Sequence, residues 1–365
     1  LQQHPRPPAP HTPPVASAAT GRPRPPVRLA AEIPPSAPAG PDYAEMMARY
    51  LGGRVMTAFA DDDVTELYVN PQDGAVRVES RRLGKMDTSY RLPRERIEMF
   101  LNAVAASHGG RLDAEHPSIQ AALPQARFHG ARLQGFVAPV TQGPCFTIRK
   151  PPAVVYPLES YVEQQRLPAV WRLRLAEAVR ARESILVVGG TNTGKTTLAN
   201  ALLREIASAR PADRVVILED TIELQCAAPD HLALRTAPGV TLRDLVKQAL
   251  RTSPTRIVVG EVRDAAALDL LDAWATGHPG GVATLHATTI AGALLRLDRL
   301  AQRAGVPTQR ALIADAVQLV VLLQNTSAQG GAARRVTNLV RVSGLTEDGR
   351  YVLHRCTERG TWEAV

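Results

Sequence analysis

One short stretch constrains this chain more than any other. Gly189-Gly190-Thr191-Asn192-Thr193-Gly194-Lys195-Thr196 fits G-x-x-x-x-G-K-[ST] at every fixed position. The apolar run Ile185-Leu186-Val187-Val188 precedes it and reads as a buried strand. Thr197-Leu198-Ala199-Asn200-Ala201-Leu202-Leu203 follows and reads as a helix start. A strand, a glycine-rich loop and a helix are the context of a phosphate-binding loop. Glycines let backbone N–H groups turn inward around phosphates, and the helix N-terminus adds positive potential. Lys195 can reach the β- and γ-phosphates, the Thr196 hydroxyl can ligate Mg²⁺, and Gly189 to Thr197 line the nucleotide. The stretch predicts ATP or GTP binding.

The 365 residues predict about two domains. The chain is 45% apolar but only 4% aromatic, so its cores must be packed mainly by Leu, Val, Ile and Ala. No stretch approaches the roughly 20 apolar residues of a membrane span. Three cysteines, Cys145, Cys226 and Cys356, lack metal-ligand spacing, and no apolar leader segment opens the chain. The expectation is a reducing, cytoplasmic setting without a structural zinc site. A net charge of +8 is compatible with nucleic acid or an anionic membrane surface and demands neither.

Residues 1–41 hold 13 of the 29 prolines and carry a net positive charge. They read as a disordered, polyproline-like tail, either a tether or a plain solvated leader. Residues 42–150 read as a small α+β domain. It comprises a helix from Tyr43 to Leu51, strands Glu66–Asn70 and Ala75–Glu79 around a Pro71–Gly74 turn, and a helix from Arg94 to Ser107. Strands Arg132–Val137 and Cys145–Arg149 complete it. Lys150-Pro151-Pro152 breaks the pattern and opens a linker over 151–164. Residues 165–365 alternate helix and strand, which predicts an α/β domain with a mainly parallel sheet. Its strands are read at Ile185–Val188, Arg214–Leu218, Arg256–Val259 and Gly281–Leu285. Added strands follow at Val320–Leu323, Arg335–Val342 and Tyr351–Leu353.

In such a sheet, loops at the carboxyl ends of the strands meet at one edge, where ligands bind. Four groups collect there: the phosphate loop, Glu219-Asp220-Thr221-Ile222-Glu223, Gly260-Glu261-Val262-Arg263, and His286. Carboxylates such as Glu219 suit the hydration shell of Mg²⁺. Glu261 suits the orientation of an attacking water, and His286 can donate to a γ-phosphate oxygen. Taken singly, the acids read equally well as helix N-caps, and His286 or His278 as a structural histidine. Their joint order behind a phosphate loop favours the functional reading.

With these stretches in hand, the chain resembles the secretion or traffic ATPases of the type II/type IV superfamily over residues 42–355, which implies a RecA-like ATPase domain over 165–365. Gly189 to Thr196 resembles the Walker A box, Glu219 to Leu224 the aspartate box, and Arg256 to Arg263 the atypical Walker B box. Gly277 to Ala287 resembles the histidine box. Within the superfamily the similarity is greatest to the conjugal-transfer subgroup TrbB, through Cys145 to Pro151 and Glu66 to Asn70. The resemblance implies that Glu261 orients the water and that Glu219, with Thr196, acts at the metal. Lys195 and His286 then complete the catalytic set. It further implies N-terminal-domain arginines at the nucleotide, for which Arg149 and Arg132 match, with Arg127 as a rival of Arg132. An arginine there offsets charge building on the γ-phosphoryl group.

The implied function is an ATP-hydrolysing, Mg²⁺-dependent motor of a type IV secretion or conjugal-transfer system. It would be a homo-oligomer, a hexamer, peripheral at the inner membrane and docked on membrane components. A pilus-assembly or tight-adherence ATPase shares that chemistry. A nucleic-acid translocase is a rival of another class, but no basic stripe interleaved with aromatics supports direct nucleic-acid binding. A nucleotide-binding scaffold without turnover is a third reading. Two departures stand out. Thr252-Ser253-Pro254-Thr255-Arg256 replaces the family's Arg-Pro-Asp-Arg run, and the four-cysteine zinc module of type II secretion ATPases is missing.

Overall fold

The computed structural model describes residues 41–80, 83–151, 154–237, 239–328 and 331–365. The expectation for the proline-rich tail lies outside the described residues except at Pro41.

The first part of the described chain holds α1 (Tyr43–Leu51), α2 (Gly53–Ala60), β1 (Val64–Val69), β2 (Ala75–Ser80), β3 (Gly84–Arg91) and α3 (Arg94–Ser107). It continues with β4 (Ser118–Ala122), the single turn α4 (Gln125–Phe128), β5 (Arg132–Phe136) and β6 (Cys145–Arg149). The strands form one sheet in the order β3-β2-β1-β6-β5-β4, antiparallel at each pairing. Asp42 caps α1 by accepting the Glu45 N–H at 3.1 Å. Met47, Leu51, Phe59, Phe100, Leu101 and Phe146 from helices and strands are buried together in one core.

The second part begins with α5 (Leu158–Glu163), inside the stretch read from the sequence as linker. It is helical because Leu158 and Tyr161, one turn apart, enter the second core. Then come α6 (Ala169–Ala181), β7 (Ile185–Gly189), α7 (Lys195–Ala209), β8 (Val215–Glu219), β9 (His231–Arg235) and α8 (Leu242–Ala249). They are followed by β10 (Arg256–Val259), α9 (Ala266–Ala275), β11 (Val282–His286), α10 (Ile290–Gln302) and α11 (Arg310–Ala316). The chain closes with β12 (Leu319–Ala328), β13 (Gly331–Leu345), β14 (Tyr351–Cys356) and β15 (Trp362–Ala364). The sheet order is β15-β14-β13-β12-β7-β11-β10-β8-β9. The six strands from β12 to β9 are parallel, and β13 to β15 extend the sheet antiparallel.

Strand alternation explains the layering. Leu186, Val188, Val216, Leu218, Ile257, Val259, Ala283 and Leu285 share a core with α8 to α11. Their neighbours Ile185, Val187, Val215, Ile217, Val258 and Val282 share the other with α5 to α7. Successive strand residues face opposite sides, so continuous apolar runs bury both faces. The predicted α/β architecture with a mainly parallel sheet, preceded by a smaller α+β part, is what the structure shows. All three cysteines are free. Among the described residues, no helix is long and apolar enough to cross a membrane.

Candidate active site

Strands β7, β8, β10 and β11 run parallel, so Gly189, Glu219, Gly260 and His286 share one sheet edge. Gly189 ends β7 where no side chain fits. A Cβ there would strike the Thr193 hydroxyl and lie 2.8 Å from the Leu323 carbonyl oxygen. Gly194 takes φ +93°, a conformation glycine adopts without strain, immediately before α7. Asn192 also has positive φ, which asparagine tolerates. Thr191 is exposed, Thr193 donates to the Gly190 carbonyl at 3.0 Å, and Thr197 is half-buried in the first turn of α7. The loop therefore wraps toward the open N–H groups of that helix, the arrangement that receives phosphate.

Lys195 is 8% exposed. Its Nζ donates to the Gly190 carbonyl at 2.8 Å and lies 3.3 Å from His286 Nδ1. Burial lowers its ammonium pKa; Glu261 opposes that shift and Arg149 adds to it. His286 Nε2 lies 3.3 Å from Glu261 Oε1. Burial and the Lys195 charge hold the imidazole below its ordinary value, so it is neutral at pH 7. Lys195 Nζ is also 3.4 Å from Nε2, so the ring stands between the ammonium and the Glu261 carboxylate. The Arg263 guanidinium donates to Glu261 Oε2 at 2.5 Å and reaches Asp220 at 3.5 Å. Burial raises the Glu261 carboxyl, but Arg263, His286 and Lys195 outweigh it and hold the group below its ordinary value. Glu261 is thus ionised and aimed across the loop.

The acidic stretch presents two carboxylates with different partners, Glu219 and Glu223. Glu219 is buried, and its Oε1 accepts the N–H groups of Glu223 and Leu224, each at 2.9 Å. Burial pushes its carboxyl up to about 7. Gly260 carries no side chain because a Cβ there would lie 2.9 Å from Glu219 Cγ. That close approach is the physical reason for the Gly–Glu pair after β10. The carboxylate on the Thr196 hydroxyl is Glu223, at 3.0 Å. Sequence reading included Glu223 in the acidic stretch without singling it out, because only the chain path shows which acid returns to α7. Thr196 and Glu223 offer a hydroxyl and a carboxylate, the oxygen donors Mg²⁺ prefers beside waters. The donor set fits that ion, and the loop fits a nucleotide's phosphates.

The other sheet contributes two arginines. Arg132 and Arg149 are direct partners across β5 and β6, and Glu66 of β1 flanks Arg149. Two like charges side by side are unfavourable unless acidic groups face them. Arg132 lines a small cleft with Glu219, Asp220, Thr221, Glu223, Gly260, Glu261 and Arg263. Arg149 is exposed, near enough to act on the charge of Lys195. Arg127 instead pairs with Glu45 at 3.2 Å. Of the two rivals, Arg132 faces the acidic edge. His278 contacts the Pro254 carbonyl at 2.9 Å, away from this cluster.

Residues 45–353 match the family described as "Type II/IV secretion system protein". The chain belongs to that family. It is 39% identical over 294 residues to the conjugal transfer protein TrbB of Rhizobium radiobacter, covering 80% of this chain and 88% of the relative. It is 34% identical over 322 residues to the type IV secretion system protein PtlH of Bordetella pertussis, covering 78% and 91%. The fold is also that of the Legionella pneumophila ATPase DotB, with TM-score 0.58 and 20% identity over 84% of this chain and 82% of that one. The secretion-ATPase resemblance and its conjugal-transfer branch are therefore what the relatives show.

Proposed function

We propose that this member of the family is an ATP-hydrolysing motor of a type IV secretion or conjugal-transfer machine. The observation that carries the reading is the continuous row Lys195–His286–Glu261–Arg263 beside the Thr196–Glu223 pair, faced by Arg132. Lys195, now on the Gly190 carbonyl, would exchange that partner for β- and γ-phosphate oxygens. Thr196 and Glu223 would hold Mg²⁺, whose charge offsets that of the phosphates. Glu261, ionised and oriented by Arg263, would position the attacking water and accept its proton. His286 would donate to the γ-phosphate through a ring N–H and lose that partner on hydrolysis. Arg132 and Arg149 would meet the charge that builds on the transferred group, coupling the first sheet to nucleotide state.

The similarity to TrbB and PtlH supports assembly of this chain with inner-membrane components of such a machine, as a peripheral hexameric ring. The test is phosphate release by the purified protein with ATP and Mg²⁺, alongside Lys195→Ala. Release that collapses to background in the variant, with an unchanged circular dichroism spectrum, is expected. Equal release by the variant would remove this loop from the reaction. Light scattering with nucleotide checks the ring.

A further inference from the structure

The acidic segment after β8 has no regular structure between Glu219 and β9, yet Glu223 is held from three sides. Helix α7 supplies two of them. Thr196 and Asn200 are four residues apart on α7 and so share one face. The Thr196 hydroxyl donates to the Glu223 carboxylate at 3.0 Å. Asn200, 1% exposed, donates through Nδ2 to the Glu223 carbonyl at 3.1 Å and accepts the Gln225 N–H through Oδ1 at 2.8 Å. The third side is Glu219, whose Oε1 takes the N–H of Glu223 and of Leu224.

The orientation of the Asn200 amide follows from its partners. One side meets a carbonyl, which only the NH₂ can serve, and the other an N–H, which only the oxygen can serve. Asparagine is a weak helix former, and burial leaves it no water. Leucine or alanine would suit the interior of α7 better, as Leu198, Ala199, Ala201 and Leu202 show. What this asparagine adds is a rigid link between the helix of the phosphate loop and the main chain of the acidic segment.

We propose that Asn200 is a positioning residue: together with Glu219 it fixes the main chain at 223–225 so that the Glu223 carboxylate stays on the Thr196 hydroxyl, where the divalent cation of the nucleotide binds. The proposal rests on the ATPase reading above. Asn200 directs both polar side-chain atoms at the main chain of Glu223 and Gln225. It acts as outer-layer partners of metal ligands do, and their loss typically costs about 10–100-fold in metal affinity. The nucleotide's own contacts with the loop do not pass through it.

The experiment compares wild type, Asn200→Ala, Glu223→Gln and the double variant by thermal shift with a non-hydrolysable ATP analogue. Each is titrated with Mg²⁺ or measured in excess chelator. Asn200→Ala is expected to raise the Mg²⁺ concentration for half-maximal stabilisation about tenfold or more. Analogue affinity in chelator should stay within about twofold, since no phosphate contact is removed. In turnover, kcat should fall about tenfold with less than a threefold change in KM for ATP. Adding Asn200→Ala to Glu223→Gln should shift the Mg²⁺ requirement no further, since the two act through one carboxylate. An unchanged Mg²⁺ requirement, or additive shifts in the double variant, would overturn the proposal. Asn200→Ser, too short to span both partners, gives the same reading if the alanine variant does not fold. Failure of the wild type itself to bind the analogue would instead remove the ATPase reading, and with it this one.

Discussion

Asp213→Ala is the substitution whose cost the structure defines most closely. Arg256 opens β10 with a fully buried side chain. Its guanidinium donates to Asp213 at 2.7 Å, to the Gly280 carbonyl at 2.8 Å and to the Val179 carbonyl at 2.8 Å. Asp213 is 3% exposed and also takes Arg182 at 2.5 Å. The cluster joins the starts of β8, β10 and β11 to α6, at the sheet edge opposite the phosphate loop. Removing the carboxylate leaves a guanidinium in the interior with two carbonyls and no counter-charge. Breaking such a pair from one side typically costs about 3–5 kcal/mol. The surviving carbonyl bonds place the expectation near the lower end, about 3 kcal/mol. At about 2–4 °C per kcal/mol, the midpoint should fall by roughly 6–12 °C. Burial would raise the Asp213 carboxyl, but Arg182 and Arg256 hold it below its ordinary value. Its contribution is therefore full above the unfolded pKa and lost as pH falls through the lower folded one. The variant should lack that acid-side loss. Urea and thermal unfolding at pH 7 and at acid pH measure both effects. A cost below about 1 kcal/mol at pH 7, the range of exposed pairs, would refute the reasoning.

Arg132→Ala should lower phosphate release at least about tenfold, within the range for an arginine that meets transferred charge, whereas Arg127→Ala should leave it unchanged. The reverse pattern would return Arg127 to the site. Glu219→Gln keeps the oxygen that accepts two N–H groups and removes a carboxyl pushed up to about 7. A raised carboxyl loses stability as pH climbs from its unfolded value through 7. The nucleotide-free variant should therefore gain on the order of 1–3 kcal/mol at pH 8 and nothing near pH 4. Unfolding at the two pH values checks this, and an equal change at both would contradict it.

The parallel strands were legible because burial on both faces leaves unbroken apolar runs such as Ile185 to Val188. Helix α3 was legible over its full length, Arg94–Ser107, from the spacing of Ile97, Phe100, Leu101 and Val104. Strand β3 leaves no signal in the sequence because nearly every residue of it is exposed, and only main-chain pairing to β2 makes it a strand. Strand β9 likewise buries little and is placed by pairing with β8. Helix α10 carries a usable sequence signal, Thr289 as N-cap with Leu294, Leu297 and Ala301 at helical spacing. In the site, the phosphate loop and Glu261 lie within short local motifs, so the sequence displayed them. That Glu223 meets the Thr196 hydroxyl, and that Arg132 lines the acidic cleft while Arg127 pairs with Glu45, depend on burial and cross-strand register. Neither is visible in residue order.

The central claim is that Glu261 drives hydrolysis at a nucleotide held by other residues. Glu261→Gln tests it when bound nucleotide and released phosphate are measured on the same preparation. Gln keeps the size and one acceptor but cannot take the proton of the attacking water. The account predicts that the variant retains ATP with near wild-type affinity and releases phosphate at background rate. Wild-type release by Glu261→Gln, or loss of affinity as severe as in Lys195→Ala, would contradict it.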